Sequence, residues 1–435
     1  MRQERGEISR LAVPILIGMM PDSLVSLVSM ITASKLSTEA LAGTGLASYF
    51  FFVINALTSI FMTGLIVVLS QAYGAGNREI LERAFNETLL FATILSLSIL
   101  ATSFIWVRSY VEVLSGGQKE TSEAAETYLT LRLISMPAVM INSVLATAYR
   151  ALNKPWPPNY STITSAIFSV ILIPSLALGY LGLPSQGVAG MGLASTVSQY
   201  LGLLVYVFFK PPIRVRFYMF STALLKVLGV GVPASIERFI SSVGQNIYIN
   251  AVSKSGIKAL AAHNIGISIE SLIINPVFAL NIATSARVGF HIGSNSARDI
   301  DSLTRESLLI GVLWMSIATA ILVAISPFAG RFFTSDTEIA GLVMFYLIFA
   351  AISEIGFGGS LAISGVIRGM GNTWIPLAVN SFTVIILRAF LAQILQPQFG
   401  VYGVWFTQIT DMYGRFLISY TIYSRSKNRL AIKLV

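Results

Sequence analysis

Leu11-Ala12-Val13-Pro14-Ile15-Leu16-Ile17 has a second version 219 positions on, Val230-Gly231-Val232-Pro233-Ala234-Ser235-Ile236. The correspondence runs without a gap from residues 11–90 to 230–309. Ser34-Lys35 returns as Ser253-Lys254, Ala40-Leu41-Ala42 as Ala259-Leu260-Ala261, and Gly74 as Gly293. Glu87, Leu89 and Leu90 return as Glu306, Leu308 and Leu309. A shift of about half the chain marks a duplicated half rather than a short-period array. In a membrane protein such a duplication places a substrate path between two similar bundles.

Composition makes this a membrane protein. Of 435 residues, 54% are hydrophobic and 11% charged, and the mean hydropathy is +0.74. A soluble domain carries roughly 25% charged residues, so this chain lacks a polar skin. Apolar stretches of about 20 residues recur along it, each long enough to cross a ~30 Å hydrocarbon core. Only helices or closed barrels satisfy their backbone there, and these stretches are too long for barrel strands. The expected fold is all-α and polytopic, with twelve spans near 8–33, 46–72, 85–107, 124–149, 158–182, 186–209, 222–250, 258–290, 302–328, 338–366, 374–395 and 399–424. They divide into two pseudo-symmetric six-helix lobes, 1–216 and 217–435, with Pro211-Pro212 in the linker. Six spans per repeat is an even number, so the repeats enter from one side and their axis lies along the membrane normal.

Basic residues set the orientation. Eighteen of the 29 Lys and Arg fall on the side of both termini, among them Arg2, Arg5, Arg10, Arg150, Arg298 and Arg368; six fall on the other side and five inside spans. Both termini are therefore expected in the cytoplasm, with the chain in the cell membrane. The net charge of +9 is mostly this bias, so nucleic acid is not an expected partner. The start Arg2-Gln3-Glu4-Arg5 leads into a span with no small-residue cleavage signal, which predicts retention of that span. The chain has no cysteine, which excludes disulfides and thiolate metal sites. No organic cofactor is expected, and a monomer is expected.

Ionisable groups inside a membrane cost roughly 2.5–3.5 kcal/mol each on insertion scales, so each calls for a reason. The first half carries Asp22 and Arg132, with Glu87 near a span end; the second carries Glu237, Arg238, Glu270, Arg287, Glu354, Arg388, Asp411 and Arg415. In the seventh span Glu237, Ser241 and Gln245 recur every four residues and share a face, with Asn246 and Asn250 on a neighbouring one. This column suits a proton or a hard cation that wants oxygen ligands. Glu270, Glu354 and Asp411 fall at similar depth, so the four acids predict one coupling-ion cluster. The competing reading is a salt-bridge network, in which Arg415 pairs with Asp411 at i, i+4 and Arg238 and Arg388 neutralise the rest. In the first span, Pro14 and Pro21 remove backbone donors and predict a bent or loosened helix. Asp22 beside them could couple its protonation to helix shape, or pair with Arg132.

Several runs resemble one family. Gln71-Ala72-Tyr73-Gly74-Ala75-Gly76, with Arg78 after it, resembles the QxxGAG signature of the multidrug and toxic-compound extrusion (MATE) transporters. Thr284-Ser285-Ala286-Arg287-Val288-Gly289 through Gly293 is similar to its second-half counterpart. Arg150 with Trp156, and Arg368-Gly369-Met370-Gly371-Asn372 with Trp374, resemble the two RGxGxT-type loops. Gly187-Val188-Ala189-Gly190 and Gly400-Val401-Tyr402-Gly403 resemble the entries to the sixth and twelfth helices. The six motifs occur in order over essentially the whole chain.

The resemblance implies a twelve-helix, V-shaped antiporter with a central cavity, exporting amphiphilic, cationic compounds in exchange for H+ or Na+ by alternating access. It also exposes departures. Many members carry an acid where this chain has Ser29, and some pair it with an NxxxDP-like run that here reads Ser169-Val170-Ile171-Leu172-Ile173-Pro174. Some sodium-linked members place an acid at the position of Ser241; Glu237, one turn earlier on the same face, is the expected substitute and the candidate Na+ ligand. Asp22 corresponds to Ser241 at the repeat shift, so coupling is expected mainly in the second lobe. The alternative is a flippase for lipid-linked saccharides from the same superfamily, with Arg132, Arg238, Arg388 and Arg415 binding phosphates. An enzyme is not expected: His263 and His291 lie in separate segments with no metal motif nearby.

Overall fold

The computed structural model describes residues 6–115, 118–296 and 299–435; Arg2, Arg5 and Arg298 of the basic tally, and the rest of the opening Arg2-Gln3-Glu4-Arg5 run, lie outside the described residues. Every regular element among the described residues is helical. In the first half α1 is Glu7–Leu36, α2 covers 38–74, α3 is Arg78–Leu114, α4 covers 119–151, α5 is Trp156–Leu178 and α6 is Gly187–Phe208. In the second, α7 is Thr222–Lys254, α8 Ile257–Gly293, α9 Asp299–Phe333 and α10 Thr337–Gly369, while α11 covers 374–399 and α12 400–430.

Nine stretches among the described residues are by themselves long and apolar enough to cross a membrane. That count takes α11 and α12 as one run, and α4 and α7 each have a local reason for failing the test alone. α4 bends by 49° where Lys119–Leu133 meets Met136–Ala151, beside Pro137. α11 and α12 form one helical run broken at Gly400, whose φ of 59° and ψ of −147° belong to a region that residues with a Cβ avoid. α7 is 33 residues long, but Glu237, Arg238 and its amides lower its hydropathy. Several helices exceed the expected spans. At 1.5 Å per residue the 37 residues of α8 reach roughly 55 Å, well beyond a ~30 Å core. α1 stays helical through Pro14 and Pro21.

Contacts divide the chain into two compact units whose limits differ from a cut at 216/217. One holds the residues through Leu16, Ser70–Asn77 and Gly229–Val435; the other holds Ile17–Leu69 and Arg78–Leu228. Each unit thus takes the opening turns of the other half's leading helix, and two equivalent glutamates explain how. Glu87 on α3 is fully buried and accepts from Ser221 N at 2.9 Å, Ser221 Oγ at 2.6 Å and Leu224 N at 3.1 Å. Those are the orphan donors at the start of α7. Its repeat partner Glu306 on α9 accepts from Gly6 N at 2.9 Å, just ahead of α1. Duplication has made a reciprocal pair of caps. Asn86 fixes the linker between halves, donating to Arg214 O at 2.9 Å and accepting from Arg216 N at 2.8 Å.

In the unit built on the second half, the ends of α2 and α8 cross through the repeated glycines. A Cβ on Gly74 would collide with the Phe290 carbonyl, and one on Gly293 with the Gln71 carbonyl. Gln71 and Phe290 are equivalent at the same shift, so the crossing is symmetric in sequence. The segment after α12 lies beside it. Ile432 N donates to Met370 O at 2.7 Å, and Leu434 N donates to Gln71 Oε1 at 2.9 Å. Gln71 Nε2 in turn donates to Ile432 O at 3.2 Å. Deeper in this unit Trp405, Tyr248 and Tyr346 are fully buried and frame the polar cluster described next.

Candidate functional site

The second half gathers three of the four acids singled out in the sequence. Glu270 comes from α8, Glu354 from α10 and Asp411 from α12. Asp411 and Glu354 are 0% and 1% exposed, so neither is solvated by bulk water. Arg415 Nη2 donates to both Asp411 oxygens at 2.9 Å, the i, i+4 pair legible in the sequence. Arg388 Nη1 lies 3.8 Å from Asp411 Oδ2, and its guanidinium sits 4.6 Å from the Tyr248 ring centroid. α11 carries Arg388 on a π-helical stretch, Thr383–Phe390, a wound-out turn that often marks functional positions.

Glu270 is held from two sides. Tyr346 Oη donates to Oε2, and Gln408 Nε2 donates to Oε1 at 2.9 Å. Gln408 also donates to Ser353 Oγ at 3.2 Å and accepts from Arg388 Nη2 at 3.4 Å, so one amide links α8, α10 and α11. The Glu354 carboxyl lies close enough to that of Glu270 for the two charges to interact. The other Glu354 oxygen, Oε2, has no partner among the described residues. Three acids face two guanidinium groups here, which leaves one negative charge when every carboxyl is ionised.

Glu237 is not part of this cluster. Arg368 Nη2 donates to Oε1 at 2.7 Å and Oε2 at 2.8 Å, and Asn380 Nδ2 donates to Oε1. A guanidinium thus occupies the place expected for sodium. Arg368 is fourteen residues from Glu354 on α10, about 21 Å of helix, so the two sites lie at different depths. Arg238, the neighbour expected to neutralise an acid, is exposed and has no ion pair within 4 Å among the described residues. Ser241 and Gln245 are half-buried; Asn246 donates to Ser242 O at 2.8 Å, and Asn250 Oδ1 accepts from Gln393 at 3.5 Å. Arg287 pairs with Glu7.

The first half offers a cavity of about 570 Å³. Asp22 and Ser29 from α1 line it together, as their seven-residue spacing suggests, with Arg132 on α4 and hydroxyls that include Thr44, Ser165 and Ser169. Asp22 and Arg132 are the only charged residues among those lining it. They do not form an ion pair within 4 Å; Arg132 instead donates to Tyr128 Oη at 2.7 Å.

Sequence reading missed Arg368, Asn380, Gln408 and Tyr346. Gln408 had a signal, since Gln408, Asp411 and Arg415 follow an i, i+3, i+7 pattern on one face. Arg368 was legible only as a cytoplasmic loop residue, because nothing local shows that its side chain reaches back to α7.

The MatE family model matches residues 14–175 and again 233–394, two copies offset by the same 219 positions. The chain belongs to the MatE family. Its relatives include the "Probable multidrug resistance protein NorM" of Thermotoga maritima, 24% identical over 97% of this chain and 93% of that protein. Another is the "Probable multidrug resistance protein YoeA" of Bacillus subtilis, 24% identical over 92% of this chain and 89% of that one. The fold is similar to that of the Vibrio cholerae MATE transporter VcmN in the bent form, with a TM-score of 0.90 at 16% identity and 99% coverage of both chains. It is also similar to that of a MOP superfamily transporter from Pyrococcus furiosus, TM-score 0.90 at 20% identity over 98% and 96%. This MatE chain is thus a multi-span membrane protein of a multidrug efflux transporter family.

Proposed function

We propose that this MatE protein is a proton-coupled exporter of amphiphilic organic cations, and that the Glu270–Glu354 pair carries the coupling proton. The observation that supports this is the proximity of two carboxyls, Glu354 buried and Glu270 half-buried, in one polar cluster. Neighbouring carboxylates in a low-dielectric site cannot both ionise without a large penalty. A single proton shared between them brings the Glu270, Glu354, Asp411, Arg388 and Arg415 cluster to neutrality. Losing that proton leaves one buried negative charge, which favours a conformation that admits water or a cation. The two states differ in interaction energy, as any coupled equilibrium requires.

This reading moves coupling away from Glu237, whose two oxygens already bind Arg368, and it favours H+ over Na+. The first-half cavity, with Asp22 and its hydroxyls, is the substrate site. The carboxyl pair and the first-half cavity belong to a single chain, which works as a monomer in the cell membrane with both termini cytoplasmic. The flippase alternative is disfavoured, because Asp411 already engages Arg388 and Arg415, and the relatives carry multidrug resistance names.

Reconstitution in liposomes with separate pH and sodium gradients tests the proposal. A pH gradient alone should drive uptake of an amphiphilic dye, and Glu354→Gln should abolish it while the protein stays monodisperse. Sodium-driven transport, or full pH-driven transport by that variant, would overturn it.

A further inference from the structure

In the first-half cavity the Arg132 guanidinium has no acid within 4 Å among the described residues. A membrane-embedded arginine normally faces a carboxylate or backbone carbonyls, because leaving it unpaired is costly. Arg132 has neither arrangement: among the described residues no carboxylate lies within 4 Å of it, and its one hydrogen bond goes to a phenol. Aromatic residues hold it in place. Its guanidinium lies 3.9 Å from the Phe51 ring centroid and it donates Nη1 to Tyr128 Oη at 2.7 Å. Stacking on a ring and bonding to a phenol fix the plane of the group without neutralising it. Arg132 forms part of the wall of the cavity, and Asp22 is the only other charged residue among the described ones that line it.

From this we infer that the cavity takes zwitterionic amphiphiles, with Arg132 reading an anionic group (carboxylate, sulfonate or phosphate) and Asp22 facing a cationic one. The inference rests on the export reading above and adds an anionic group to its cationic substrate: a cation alone would leave Arg132 unpaired. A planar fork with fixed orientation suits a planar carboxylate in particular. Serine and threonine hydroxyls around the wall can bond to either end of such a molecule, since each both donates and accepts.

A matched probe set tests this in purified protein by dansyl fluorescence. Nε-dansyl-lysine is zwitterionic, its methyl ester lacks the anion, and its Nα-acetyl derivative lacks the cation. The wild type should bind the zwitterion more tightly than the ester. Arg132→Gln should weaken the zwitterion and the acetyl derivative by roughly 10–100-fold, the worth of a charged hydrogen bond, while ester binding holds within about threefold. Retained ester binding also shows that the variant's cavity is intact. Should Arg132→Gln fail to fold, Asp22→Asn decides: the acetyl derivative should bind more tightly and the ester more weakly. Equal zwitterion affinity in Arg132→Gln, equal wild-type affinity for ester and zwitterion, or no change in Asp22→Asn overturns the inference. Arg132-dependent competition by short-chain phosphatidylcholine would support the same chemistry with a lipid headgroup as its source. Arg132-dependent binding without transport would sink the export reading and leave this one standing; transport of the ester with no Arg132 effect would do the reverse.

Discussion

Arg368→Ala should be among the most damaging single substitutions in the second half, although Arg368 sits in a loop-like motif at a helix end. The Arg368 and Glu237 side chains are 14% and 7% exposed, and one guanidinium nitrogen bonds both carboxylate oxygens at 2.7 and 2.8 Å. Removing the arginine leaves a buried carboxylate with Asn380 as its remaining described partner. Breaking a buried pair from one side costs about 3–5 kcal/mol, most of it the stranded charge. Removing both charges together costs far less, so Glu237→Gln with Arg368→Gln should fall within about 1–2 kcal/mol of the wild type. SDS-titrated unfolding in mixed micelles, run as a double-mutant cycle, measures both quantities. An Arg368→Ala loss under about 1 kcal/mol would show that the carboxylate is not charge-locked. Glu237 would then be free for a cation, and assigning coupling to Glu270 and Glu354 would lose its main contrast.

Glu87→Ala should destabilise by roughly 3–5 kcal/mol, because the caps at Ser221 and Leu224 lose their acceptor in a buried site; the same unfolding assay reads it, and a loss under about 1 kcal/mol would refute the cap. Gly74→Val should cost about 1–3 kcal/mol by overpacking against the Phe290 carbonyl, whereas tolerance of valine would show that the crossing is loose. The exposed pair of Asp301 and Lys427 should matter little and only above acid pH. The Lys427 hydrogen bond holds the Asp301 carboxyl below its usual range. A lowered carboxyl contributes stability above its unfolded pKa of about 3.9, lost as pH falls through the folded value. Wild type and Asp301→Asn should therefore differ by under about 1 kcal/mol at pH 7 and converge below about pH 3; a gap that widens in acid would contradict the sign.

The duplication and the twelve spans were legible because hydrophobic length and a constant shift are properties of the chain alone. The break at Gly400 was legible as a span boundary, whereas the bend in α4 was not, because its apolar run continues through residues 124–149. Arg415 on Asp411 was readable from i, i+4 spacing. Glu237's partner was not, since Arg368 is 131 residues away and only tertiary packing brings α10 against α7. The same limit hid the exchange of Glu87 and Glu306. Their equivalence shows in the sequence, but which helix start each one caps depends on how the halves fold. Arg132 is legible as an intramembrane cation, yet its stacking on Phe51 in place of pairing with Asp22 is a matter of geometry.

Proton release on substrate binding tests the coupling assignment most directly. Adding an amphiphilic substrate to purified protein in weakly buffered solution should release about one proton per chain, the one needed to neutralise three acids against two arginines. Release should vanish in Glu354→Gln and Glu270→Gln and persist in Glu237→Gln. Release that disappears only in Glu237→Gln, or substrate binding with no proton release at all, would contradict the account.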